Sequence, residues 1–331
     1  MFEARNDSKF MIIAIDETGS FDESSNGLNL FIAVQLRQRK HLYRQKERQF
    51  MAWESSIDSS LKNPKGEIKT SRLSDDQLLD FARRVMISTP WVGITPIAVC
   101  PAQNPATVME KYRQVMLRGI HEGEKWYREH GRPGPAQTYL EFGNWLKKLN
   151  YQQFMKVIVL SICIVDSFTN AVGHSISGRY DDELTRLRFK IDRDFIRGLP
   201  VERFWRELLR NGLYNRTLER PLPIPNTWKK RGHPFLKMYE KDDGTYDFNQ
   251  LFTKHCSFGL SHEHFEIRIS DGVNTIFSRY LNGGSCAPAY TLIRHSILRD
   301  GKIIQIVLGD SDLSEWRYDA TNNQFGDLSD G

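Results

Sequence analysis

The chain has 331 residues, 40% apolar and 11% aromatic, enough for a sizeable core, which excludes a globally disordered chain. Forty-six basic residues against 41 acidic ones leave a net charge of +5, which permits an anionic partner such as nucleic acid without requiring one. The four cysteines, Cys100, Cys163, Cys256 and Cys286, form no Cys-x-x-Cys pair, so neither a zinc ribbon nor a disulfide scaffold is expected.

Phe10–Ile15 is a compact apolar run that reads as a buried strand, and Leu28–Leu36 as a second strand antiparallel to it. Residues 39–62 read as a helix ended by Asn63-Pro64-Lys65-Gly66. Ser74 with Gln77 is a capping pattern for a helix to about Met86. Trp91–Val99 is the third predicted strand, and residues 105–130 and 138–150 are helical. Val157–Val165 is continuously apolar and reads as a strand buried on both faces. It is the longest apolar run and too short to span a bilayer, and no signal-peptide core opens the chain. A cytoplasmic protein with no membrane partner is the expectation.

Asp181–Arg197 and Val201–Asn211 read as helices, and 213–250 as irregular. A helical insertion over about 175–250 is therefore expected. His264–Ile269 reads as a strand, Asp271–Leu281 and 287–298 as helices, and Lys302–Leu308 as a last strand. Residues 310–331 form an acidic tail beyond a single domain over 1–309. The order of elements predicts an α/β protein with a mixed sheet flanked by helices.

Four acids stand at the ends of these elements: Asp16, Glu67, Asp166 and Asp271. An acid at the end of an apolar strand is costly when desolvated, and several together repel. A divalent cation such as Mg²⁺ or Mn²⁺ removes that cost, and two such ions can activate water against a phosphodiester. Singly, each acid is as easily read as a turn former or a helix cap. Lys69, in Glu67-Ile68-Lys69, shares a side with Glu67 if that stretch is extended, where it could hold a phosphate.

The motifs resemble family 3800 of the domains of unknown function, whose opening strand ends in Asp-Glu-Ser-Gly; here the element is Asp16-Glu17-Thr18-Gly19. The family's Glu-x-Lys element is matched by Glu67-Ile68-Lys69. Its late Gln-x-Ala-Asp junction is matched only at Asp271, in Arg268-Ile269-Ser270-Asp271. The resemblance covers about residues 10–100, 155–170 and 255–285. It implies a ribonuclease-H-like fold, an acidic metal cluster and cleavage of RNA or DNA, in a setting of phage defence or mobile elements with protein partners in a defence complex. The changed Arg268–Asp271 junction favours an alternative, a catalytically silent protein that binds nucleic acid or assembles on it.

The basic block with Arg39, Lys40 and Arg44, and the stretch Trp228-Lys229-Lys230-Arg231, are candidate phosphate contacts, or else solvated faces. His262 and His264 could serve a zinc site or handle a proton beside the carboxylates. There is no phosphate-binding loop of the Gly-Lys-Ser type and no Gly-x-Gly-x-x-Gly element, which argues against nucleotide hydrolysis and dinucleotide redox chemistry.

Overall fold

A computed structural model describes residues 9–38, 40–87, 92–176, 184–193, 234–242, 255–298 and 301–308. Six strands form one mixed sheet in the order β5-β4-β1-β2-β3-β6. The first three, β1 (Lys9–Thr18), β2 (Asn29–Gln38) and β3 (Val92–Val99), pair antiparallel in sequence. β4 (Leu184–Asp192) joins β1 in parallel, and β5 (Cys256–Gly259) joins β4 in parallel. β6 (Ile304–Ile306) adds in parallel to β3. The α/β class and the mixed sheet flanked by helices are as the sequence predicts.

β1 lies between β2 and β4, so it has neighbours on both edges and is covered on both faces. That is why Met11–Ile15 is apolar without alternation. One sheet face, carrying Met11, Ile13 and Ile15, Phe31 and Ala33, and Leu187, Phe189 and Ile191, packs on α5 (Tyr151–Ile176). The other face, carrying Leu30, Ile32, Val34 and Leu36, packs on α7 (Phe265–Gly283). Beside α7 lie α1 (Lys40–Ser55), α2 (Asp75–Phe81) and α8 (Ala287–Ile293). On the α5 side, α3 (Ala106–Glu129) and α4 (Pro133–Lys148) form a helical hairpin. A four-residue helix, α6 (Pro234–Lys237), lies on β4.

Three expectations are corrected. Val157–Val165 is the middle of the 26-residue helix α5 and forms no strand. Its buried residues Phe154, Val157, Leu160, Ile164, Phe168 and Ala171 recur at helical spacing, and each of the first five contributes up to about 1.5–3 kcal/mol by burial. The helix start is marked by a reciprocal cap: Asn150 Oδ1 accepts from the Gln153 amide at 2.9 Å, and Gln153 Oε1 accepts from the Asn150 amide at 3.1 Å. By length and composition Tyr151–Ala171 is able to cross a bilayer, but most of it is buried against the sheet.

The helix expected over Asp181–Arg197 contains strand β4, so the sheet runs through what reads as a helical insertion. Val201–Asn211 and most of 213–250 lie outside the described residues, as does the acidic tail. The strand expected over His264–Ile269 is the first part of α7, which begins at Phe265. Asp271 therefore stands inside the helix, where no strand-to-helix junction exists.

Candidate active site

Side chains alternate along β1, so Asp16 and Glu17 face opposite ways. Glu17 turns to the α5 face, where its carboxylate meets Lys156 Nζ at 3.0 Å. Asp16 turns to the α7 face and is buried. The glycine two residues past Glu17 has a backbone reason: Gly19 has φ +121°, and the Asn29 side chain occupies the place a Cβ would take.

α7 is tied to the sheet beside Asp16. Ser270 Oγ donates to the carbonyl of Ile32 at 2.8 Å, and Ile32 is the register partner of Asp16 on β2. Asp271, the next residue, is thereby brought to the Asp16 side. Gly272 permits the helix to sit this close to α2, because a Cβ there would press on the Phe81 ring.

Glu67 is held by the turn that ends the α1 region. Asn63 Oδ1 accepts from the amides of Lys65 at 2.9 Å and Glu67 at 3.0 Å. Asn63 Nδ2 donates to Glu67 Oε2 at 2.7 Å, leaving that carboxylate buried but oriented. Lys69 Nζ lies 3.7 Å from the same oxygen and is exposed, so the extended geometry expected of Glu67-Ile68-Lys69 is present. Next to them the Thr70 and Thr275 hydroxyls bond at 2.6 Å, joining this turn to α7.

The fourth acid of this cluster is Asp192, which sequence reasoning did not single out. Ile15 and Ile191 pair between β1 and β4, so Asp16 and Asp192 end adjacent parallel strands on one face. The signal was present as Arg186-Leu187-Arg188-Phe189-Lys190-Ile191-Asp192, a period-two alternation.

Electrostatics ties the four together. Burial, then the charges of Asp271, Glu17 and Asp192, push the Asp16 carboxyl well above the usual carboxylate range. Burial pushes Asp271 up to about 7, with the Glu67 and Asp192 charges adding, against a hydrogen bond from Thr70 and the charge of Lys69. Glu17 is likewise pushed up to about 7 by burial despite Lys156.

Asp166 does not belong to this cluster. It lies on α5, on the opposite face of the sheet, where Asn170 Nδ2 donates to it at 3.0 Å. The adjacent Ser167 carbonyl accepts from Gln35 Nε2 at 3.1 Å, which fixes that turn of helix over β2. A site shared by Asp166 and Asp16 is excluded because the sheet separates them.

Of the expected basic contacts, Arg44 on α1 is exposed and Lys40 begins that helix. Arg39, Lys229, Lys230 and Arg231 lie outside the described residues. His264 lies beside the cluster: its Nδ1 is 3.1 Å from Lys190 Nζ, and its ring lies over Gly259, the register partner of Asp192. Burial and the Lys190 charge hold His264 below its ordinary pKa. Lys190 also donates to the buried Glu266 at 2.8 Å, which accepts in addition from the Tyr43 hydroxyl. Arg268 donates to Glu54 Oε2 at 2.6 Å and lies over the Phe50 ring, joining α7 to α1.

All four clustered donors are carboxylates, the chemistry a hard divalent cation takes. Asn274 lies three residues past Asp271 and four past Ser270, on the helix face between them. Its amide is buried, and neither its Nδ2 nor its Oδ1 has a hydrogen-bond partner among the described residues. An orphaned amide and carboxylates raised by desolvation both fit a cation or its water shell. As the side chains stand, no three His, Cys, Asp or Glu residues among those described are grouped tightly enough to hold an ion. Mutual repulsion of like charges in a desolvated floor opposes such closure.

No protein-family model matches the chain, and no curated protein and no solved structure matches it.

Proposed function

We propose that the protein is a metal-dependent nuclease of ribonuclease-H-like fold, hydrolysing phosphodiester bonds of RNA or DNA. The observation that carries this reading is the convergence of Asp16, Glu67, Asp192 and Asp271, from four separate segments, on one face at the ends of β1 and β4. The resemblance of Asp16-Glu17-Thr18-Gly19 and Glu67-Ile68-Lys69 to family 3800 of the domains of unknown function supports it, and a defence or mobile-element setting rests on that resemblance alone.

Asp16, Asp192, Asp271 and Glu67 would hold one or two Mg²⁺ or Mn²⁺ ions, which supply an activated water and stabilise the leaving oxygen. The chain's own part is positional. Asn63 orients Glu67, Ser270 seats Asp271 against β2, and Lys69 offers its ammonium to a phosphate oxygen at the exposed side. Full ionisation of Asp16 and Asp271 requires either a cation or a pH above their raised pKa values.

A second reading is a catalytically silent nucleic-acid-binding or assembly protein. The absence, among the described residues, of three acids already grouped at ion-holding spacing favours it. The two readings part in one experiment. Purified protein is incubated with single- and double-stranded DNA, RNA and a hybrid, in Mg²⁺, Mn²⁺ or chelator, beside Asp16→Ala. The nuclease reading expects metal-dependent cleavage that the substitution abolishes. Binding unchanged by chelator or by Asp16→Ala, with no cleavage of any substrate, supports the silent protein.

A further inference from the structure

The face of β4 that carries Asp192 also carries Arg186, Arg188 and Lys190 at every second position. Residues two apart on a strand share a face and stand about 6.6–6.8 Å apart. The three cations thus form a straight row leading to Asp192 and, on the neighbouring strand, to Asp16. Their register partners on β1 are Phe10, Ile12 and Ala14, which bring no charge of their own.

Among the described residues the row is open at its far end: β5 pairs with β4 only over Phe189–Asp192, and Arg186 and Arg188, upstream of that pairing, are exposed. Neither arginine makes an ion pair among the described residues. Among the described residues, the groups beside the row on other elements are Tyr43 and Glu47 on α1, Glu266 on α7 and His264. Glu266 on α7 is offset by Lys190 at 2.8 Å, and His264 is held towards its neutral form. Tyr43 on α1 feels the Arg188 charge and packs edge-on against Phe10, with ring centroids 5.3 Å apart. Phe10 and Tyr43 are both partly exposed along this margin.

We propose that Arg186 and Arg188, with Lys190 held behind them by Glu266, form a track for the sugar-phosphate backbone of a single nucleic-acid strand, leading it to the carboxylates. The inference rests on the nuclease reading and gives it a substrate path. A row one cation wide with an aromatic margin suits one strand: the guanidiniums take successive phosphates, and rings beside them accept bases. Charges on a strand edge also serve simply to block pairing with another sheet, and that role requires no nucleic acid.

The test is binding of fluorescein-labelled single-stranded DNA and RNA by anisotropy, in chelator so that no cleavage occurs, across a salt series. Arg186→Gln/Arg188→Gln is compared with Lys147→Gln/Lys148→Gln, the same charge change at exposed positions on α4. The track predicts an affinity loss of about tenfold or more for the arginine pair at low salt. It also predicts a fall of about 1.4 in the slope of log K against log salt, two phosphates at about 0.7 each. The lysine pair should match wild type, and Arg186→Lys/Arg188→Lys should recover the slope, which separates charge from misfolding. An arginine pair with wild-type affinity and slope, or a wild type that binds neither strand, overturns the track. Cleavage that persists in such a pair leaves the nuclease reading standing without it. Arginine-dependent binding with no cleavage of any substrate leaves the track standing without the nuclease.

Discussion

The two helices that cover the sheet differ in how much polar surface they bury. α5 presents Phe154, Val157, Leu160, Ile164 and Phe168 to its face, with Ser167 buried among them over Gln35. α7 buries Glu266, Arg268, Ser270, Asn274 and Thr275 among its apolar residues. Burying polar groups costs free energy unless each is partnered, so the α5 face carries stability while the α7 face carries constraints that stability alone does not require. Ser270 and Thr275 are partnered by Ile32 and Thr70, and Arg268 by Glu54. On this face Asn274, the Arg268 Nε and the raised carboxyls of Asp16 and Asp271 are the unbalanced remainder, and Asp16, Asp271 and Asn274 lie together at the site.

The sharpest way to break this contrast is to remove one acid from each face. Asp192→Asn should lower metal-dependent cleavage by about 100-fold or more, about 2.7 kcal/mol in the barrier, as expected for loss of a charged ligand. Asp166→Asn should stay within a few-fold of wild type. Initial-rate assays decide it, and equal losses in the two variants would return Asp166 to the site and dissolve the difference between the faces.

A smaller effect is expected in stability. A carboxyl whose pKa rises on folding binds its proton more tightly in the folded state, so its ionised form opposes folding. For Asp271 the stabilising protonated state is fully present below the unfolded value near 3.8 and is lost as pH rises to about 7. Discounted for solvent and coupling, the change is on the order of 2 kcal/mol. His264, held low, titrates in the opposite sense, so the comparison is wild type against Asp271→Asn. Denaturant unfolding in chelator should show the variant gaining on wild type from pH 4 to 7 and level above it. Saturating Mn²⁺ at pH 8 should narrow the gap. A gap that shrinks with rising pH would mean that Asp271 is not desolvated.

The smallest expected effect concerns Asn274. Replacing an orphaned buried amide by an apolar group of similar size should stabilise the chain, so Asn274→Leu should gain about 1 kcal/mol. Its Mn²⁺ affinity, read by titration calorimetry, should fall by up to about tenfold, as for other groups around a metal. A destabilised variant with unchanged affinity would show that the amide is satisfied within the fold and serves packing, as α5 does.

Much of the site was legible locally. Asp16 ends an unmistakable apolar run, and the Asn63–Gly66 breaker announces the turn that presents Glu67. The Ser74–Gln77 cap forms as its spacing predicts, with Gln77 N to Ser74 Oγ at 3.2 Å. Asp192 was hidden because its strand is rich in arginine and lysine, which have good helix propensity, although their alternation with Leu187, Phe189 and Ile191 is that of a strand. Asp166 misled for the reverse reason: Val157–Val165 is apolar enough for a buried strand, and only the Asn150–Gln153 cap and the recurrence of buried residues out to Ala171 mark a helix.

By itself the sequence determined the α/β class, the antiparallel opening of the sheet, its caps and turns, and three of the four clustered acids. These follow from local sterics, hydrogen-bonding and periodicity. Only the tertiary structure decided that the long apolar segment is a helix, that β4 runs beside β1, and that Asp192 replaces Asp166 next to Asp16. A buried apolar segment gains nearly the same free energy from a strand's neighbours as from a helix's, so its partner across the fold makes the choice.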